Sequence, residues 1–149
     1  MTGYPQQGIW GKPELVMPAN PAAGANFQLT VPAGESWWFW CIANTLTTGG
    51  AAANRVSLVQ AEDGAGKQIG TIPHGLTQTA NLTKQYLYGL GLPSSAAFEV
   101  VTAGVLERAF VRLPRWLLPP GSVLFIVVLN IQAADQISGI SYVISRSYL

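Results

Sequence analysis

The side chains able to do chemistry are few in this chain of 149 residues, with one histidine and one cysteine. His74 lies in "IPHGL", a Pro-Gly turn, where a histidine is solvated or locally hydrogen-bonded. With no second His and no Cys nearby it cannot build a zinc site. Cys41 sits inside the apolar run Trp37 to Ala43 with no activating base beside it, so its thiol behaves as a small hydrophobe. A lone cysteine forms no internal disulfide, which fits assembly in a reducing cytoplasm. Glu62 and Asp63 are adjacent, yet the oxygen-rich spacing of a calcium loop is missing, and "EDGAGK" reads as a solvated hairpin tip. "GAGKQ" resembles the end of a phosphate-binding loop, but that motif needs Gly where Ala61 stands and Ser or Thr where Gln68 stands. Asn81-Leu82-Thr83 satisfies the glycosylation sequon, although the opening residues have neither the basic start nor the apolar stretch of a secretion signal. Seven acidic residues leave little scope for a carboxylate pair of the glycosidase kind. The sequence therefore predicts no catalytic, metal-binding or cofactor-binding residues, and a protein that is not an enzyme.

The elements that would carry any site read as strands. Residues 1–25 are rich in Pro, Gly, Ala and Asn with isolated large apolar residues, and are predicted to be an extended arm. From 26 to 149 the pattern is strand and turn: Phe27, Leu29 and Val31 alternate, "PAGE" leads into the Trp run, and Asn54–Gln60 precedes the "EDGAGK" hairpin. A short strand is predicted at Ile69–Ile72, then a long polar loop over Pro73–Thr83. Lys84–Leu92 is a strand with Tyr86 and Tyr88 on one face and Leu87 on the other. Ala96–Gly104 is ambiguous between strand and helical turn, Glu107–Leu113 alternates charged and apolar residues, and strands at Val123–Ile131 and near the C-terminus complete the set. About eight short strands without a convincing amphipathic helix predict an all-β sandwich or barrel. Val31-Pro32-Ala33-Gly34 and Leu118-Pro119-Pro120-Gly121 each lead into a seven-residue apolar run. A Pro-Gly corner can turn a chain from one sheet into another, and two of them suit a jelly-roll-like sandwich.

In "ESWWFWCIANT" both parities of the strand are apolar. Strict alternation would send Trp37, Phe39 and Cys41 inward and Trp38, Trp40 and Ile42 outward. Trp38 and Trp40 alone would expose roughly 500 Å² on that outer face, at the upper end of what a monomer tolerates. The cover is predicted to be the arm, carrying Trp10 and Met17, reaching across a subunit boundary, so the chain is expected to be an obligate homo-oligomer. Trp10, Met17, Trp38, Trp40 and Ile42 are the predicted interface residues, with Trp116 a weaker candidate.

Charged residues make up 10% of the chain against roughly 25% in an average soluble domain, and the net charge is +1. The eight Lys and Arg are scattered, which argues against direct binding to nucleic acid. No apolar run approaches the ~20 residues of a membrane-spanning helix. Aromatic residues on a sandwich can also stack on sugar rings, and Trp10, Trp116, Tyr86 and Tyr88 are the predicted platforms for that rival role.

The order "VPAGE", a Trp-rich strand, "TLTTGGAAANRVSL", an acidic Gly turn, "LPPGS", an apolar strand and "AADQISGISYVIS" resembles small β-sandwich structural proteins of tailed bacteriophage particles, particularly head decoration or cement proteins. The resemblance covers about residues 26 to 146. It implies a virion protein, assembled in the host cytoplasm, that binds the outside of the capsid lattice, often as a trimer, and clamps neighbouring major capsid subunits. Some such proteins occupy tail or fibre positions instead, and the arm suits a tail adaptor equally.

Overall fold

A computed structural model describes residues 11–92, 97–102 and 106–148. The described residues contain strands and turns and no helix. Eleven strands are β1 (Glu14–Val16), β2 (Phe27–Thr30), β3 (Glu35–Thr47), β4 (Arg55–Glu62), β5 (Gln68–Gln78), β6 (Thr83–Gly89), β7 (Ala97–Thr102), β8 (Leu106–Arg112), β9 (Trp116–Leu118), β10 (Val123–Leu129) and β11 (Gln136–Tyr148). They form a seven-stranded sheet in the order β1-β11-β3-β6-β8-β7, with β9 also paired to β3, and a four-stranded sheet in the order β2-β10-β4-β5. The sheets pack as a β-sandwich over Phe27, Trp37, Phe39, Ile42, Leu46, Val59, Tyr86, Tyr88, Leu118, Leu124, Ile126, Ile137 and Ile144, among others.

The all-β sandwich is as the strand pattern predicts. Jelly-roll connectivity is not established by this order, because a jelly roll is built from antiparallel Greek keys and β6 runs parallel to β8. Residues 14–16, within the segment read as an arm, form β1 and pair with β11, so the larger sheet begins there.

Both Pro-Gly corners do pass the chain between sheets, from β2 to β3 and from β9 to β10. In each, a carbonyl accepts from the N–H three residues on (Pro32 from Glu35 at 3.2 Å, Pro119 from Ser122 at 3.1 Å). The third residue is a glycine with φ of 83° at Gly34 and 79° at Gly121, the positive value that position of a type II turn requires. The corners also bond to each other: Val31 N–H donates to Ser122 O at 2.8 Å and Gly121 N–H to Val31 O at 3.0 Å. The two repeats are one paired device closing one end of the sandwich.

Two segments differ from the sequence reading. β5 runs on to Gln78 through what reads as a polar loop, because the residues it turns inward, His74 and Gln78, are polar and hide the alternation. Pro73 is tolerated because β5 is the edge of its sheet. Ala97–Thr102, ambiguous in sequence, is strand.

Candidate interaction surface

The Trp run of β3 is built around one extra residue. Cys41 pairs with Val143 and Phe39 with Ile144, so Trp40 has no partner on β11 and forms a bulge. The bulge resets the alternation: Trp37 and Phe39 face inward before it, and Ile42, Asn44 and Leu46 face inward after it. Ile42, placed outward by strict alternation, is therefore fully buried in the chain's own core, while Cys41 turns outward and is half-buried. Burial pushes the Cys41 thiol above its ordinary value, against an opposing backbone hydrogen bond from Val143, which leaves it a poor nucleophile.

Trp38 and Trp40 face outward as predicted, each half-buried. The guanidinium carbon of Arg115 lies 4.2 Å from the Trp38 ring centroid and 5.8 Å from that of Trp40. Such stacking fixes an otherwise mobile cation over the aromatic faces. The Trp40 indole N–H donates to Ser145 Oγ at 3.1 Å. Leu117, opposite Trp38 in the β3–β9 register, is 45% exposed, and Leu15 on the edge strand is 65% exposed. The outer face of the smaller sheet is apolar too: Val123, Phe125 and Val127 alternate outward along β10 and are half-buried, ending in exposed Leu129.

The remaining predicted residues separate cleanly. Trp116 is buried, with a Cβ at Gly70 falling 3.0 Å from its indole, so its surface is spent on the core and not on an interface. Met17 is 74% exposed at the end of β1. Trp10 lies outside the described residues.

The sugar-platform reading loses Tyr86, Tyr88 and Trp116, all turned between the sheets. There the two tyrosines belong to a polar layer that the sequence reading missed. Tyr86 OH donates to Gln78 Oε1 at 2.8 Å, Gln78 Nε2 donates to the carbonyls of Leu46 and Leu82 at 2.9 Å each, and Tyr88 OH donates to Ser57 Oγ at 3.0 Å. Burial raises the Tyr88 phenol well above its ordinary value, only partly offset by the Ser57 contact. His74, expected to be a solvated or locally hydrogen-bonded turn residue, lies buried in β5 and meets Tyr86 edge-on at 5.1 Å between ring centroids. Burial, and secondarily the Lys84 charge, lowers its pKa to about 4, so it is neutral at pH 7. The alternation of His74 and Gln78 with half-buried Ile72 and Leu76 was the available signal for this layer.

A shallow groove of about 280 Å³ lies on the outer face of the larger sheet. Its floor is Ala43 and Thr45 of β3 with Gln85 and Leu87 of β6; Arg108 and Phe110 wall one side, Gly139 and Ser141 the other. Gly139 takes a φ of 56° within a second register shift, between Ser138 and Ser141 of β11. Arg108 Nε donates to Gln85 Oε1 at 3.0 Å. Among the described residues no group of three or more His, Cys, Asp or Glu could hold a metal ion.

Neither the protein-family models nor the curated proteins nor the solved structures compared with the chain match it.

Proposed function

We propose that this chain is a non-enzymatic structural protein of a bacteriophage virion that oligomerises and binds the outside of the head as a decoration or cement protein. The observation that carries the reading is a sandwich apolar on both outer faces: Trp38, Trp40 and Leu117 on the larger sheet, and Val123, Phe125, Val127 and Leu129 on the smaller. A free monomer has little use for two such faces, whereas a subunit fixed between neighbours buries both. The low charge and the resemblance in the order of elements support the same role.

Its mechanism is mass action. Each copy buries apolar surface against its own kind, with a trimer favoured, and against major capsid subunits; binding the assembled shell and not its dissociated parts stabilises the shell. The test is the molar mass of the full chain by light scattering, followed by recovery of the protein with purified phage heads. A ring-sized oligomer that copurifies with heads in many copies supports the role. Recovery with tails moves the protein to a tail or fibre position, and a stable monomer that joins neither overturns the reading.

A further inference from the structure

We propose that the groove on the outer face of the larger sheet receives an extended acidic segment of a neighbouring, non-identical protein subunit, with two carboxylates four residues apart and an apolar residue midway between them. This rests on reading the chain as an assembly protein, and names the chemistry of its partner.

The charge distribution points there. Of eight cationic residues, Arg55 and Arg146 are consumed by ion pairs within the fold, and Lys84 is buried. Arg108, Arg112 and Arg115 are exposed, and none of them enters an ion pair among the described residues. Arg108, Phe110 and Arg112 alternate on β8, so they stand on one face with Phe110 between the cations, and Arg115 continues the row onto Trp38. Arg108 and Arg112 thus offer two cations on one face of β8, with Arg115 beyond them.

The shape specifies an extended occupant. The groove lies above β3 and β6, between the small residues Gly139 and Ser141 and the long side chains of β8. With strands spaced about 4.8 Å apart, that interval is about 14 Å, the width of one extended chain with its side chains. Arg108 and Arg112 are about 13 Å apart along their strand, and residues i and i+4 of an extended segment repeat on one face at the same interval. Residue i+2 then meets Phe110 and Leu87. Half-buried apolar walls favour a peptide over a nucleic-acid strand, for which so few cations would be a weak anchor.

The test uses the full chain labelled with ¹⁵N and the capped peptide Ser-Glu-Thr-Leu-Thr-Glu-Ser as probe, at low salt. The expected result is saturable shifts of the Thr45, Leu87, Phe110 and Gly139 amides, with affinity falling about tenfold in Arg112→Glu and further in Arg112→Glu/Arg115→Glu. Lys67→Glu, on the hairpin of the other sheet, should leave binding unchanged. Amide dispersion identifies any variant that fails to fold, and Arg112→Glu, which leaves the Trp38 stack untouched, keeps the test valid if the double variant does. Absence of shifts at millimolar peptide overturns the proposal, as does equal binding of the peptide with Gln at both Glu positions. Tighter binding of a ten-residue oligothymidylate at these amides assigns the groove to nucleic acid and overturns it as well. Each of these failures leaves the light-scattering and head-binding results, and so the assembly role, standing.

Discussion

Arg55 and Asp135 meet in a fully buried two-point ion pair, with Nε to Oδ2 and NH2 to Oδ1 each at 2.9 Å. Arg55 also donates to the carbonyls of Ala51 and Ala53, and Asp135 accepts from the N–H groups of Gly49 and Gln132. The pair ties the loop after β3 to the loop before β11, with both charges satisfied. Removing one partner strands the other in the core, so Asp135→Asn or Arg55→Met should cost about 3–5 kcal/mol. Replacing both by apolar residues should cost less than either single change, which a double-mutant cycle in denaturant will show. Burial opposes ionisation of Asp135, but Arg55 and the two N–H groups outweigh it and hold its carboxyl below its ordinary value. The pair's contribution is therefore complete above the unfolded value near pH 4 and is lost as pH falls through the lower folded value.

His74 gives a second pH dependence in a different window. Its folded value of about 4 lies below the unfolded value of roughly 6.5, so between them the unfolded chain binds the extra proton. Stability contributed by neutral His74 is complete above about pH 6.5 and declines toward pH 4, by at most roughly 3 kcal/mol. Urea titrations at pH 7 and pH 5 should show the loss, and His74→Leu should flatten the profile across that interval. An unchanged profile in His74→Leu would place the acid sensitivity elsewhere.

Strands were most legible where their inward residues are apolar and their ends carry turn residues, as in β2 and β10. The rule fails where polar residues turn inward, as in β5, whose His74 and Gln78 find partners in a layer assembled from other strands. The bulge at Trp40 was invisible because neither glycine nor proline marks it, whereas Gly139 did mark the one in β11. The outward placement of Trp38 and Trp40 was readable from apolar residues on both parities. Ile42 and Trp116 were misplaced, since their burial depends on the bulge and on Gly70 of another strand. The alternation that makes the arginine row was legible in β8, but the groove beside it needed the parallel β6–β8 pairing, a long-range contact that no local pattern encodes.

Two glycines with positive φ, Gly34 in one of the paired corners and Gly24 in the turn before β2, are held by different constraints. A Cβ at Gly34 meets no atom within 4 Å, so Gly34→Ala carries only the backbone cost of about 1–2 kcal/mol. Gly34→Asn, which tolerates that conformation better, should recover part of it. At Gly24, with φ of 72°, a Cβ would lie 2.9 Å from the Ala133 Cα, so Gly24→Asn should recover nothing relative to Gly24→Ala. Thermal melts of the four variants separate backbone strain from steric exclusion.

Deleting Trp40 should leave the core in place. Without the bulge residue, Trp37, Phe39, Ile42, Asn44 and Leu46 fall on one parity of a regular strand, the face they already occupy. The deletion loses the Ser145 hydrogen bond and one outer indole, a cost of about 2 kcal/mol. Deleting Ala43 instead also puts Asn44 and Leu46 on the parity of Trp37 and Phe39, but in a regular strand it turns Ile42 outward and Cys41 inward and should cost about 2–5 kcal/mol more. A Trp40 deletion as damaging as the Ala43 deletion would mean that the β11 register, and not side-chain parity, controls the fold.

The sharpest distinction is between residues on the two sides of that bulge. Ile42→Ala opens a cavity beneath a fully buried side chain and should cost about 2–5 kcal/mol of folding stability. Trp38→Ala removes an outward ring that lies beneath the Arg115 guanidinium, so its folding cost should stay near 1 kcal/mol. If the outer face is an assembly surface, Trp38→Ala and Trp40→Ala should nonetheless lower the oligomer's mass and its recovery with heads far more than Ile42→Ala does at a temperature where all three remain folded. Melting and light scattering on the same samples make the comparison. Loss of assembly in proportion to loss of stability across all three variants would remove Trp38 and Trp40 from the interface, and the apolar outer face of β10 would become the place to look.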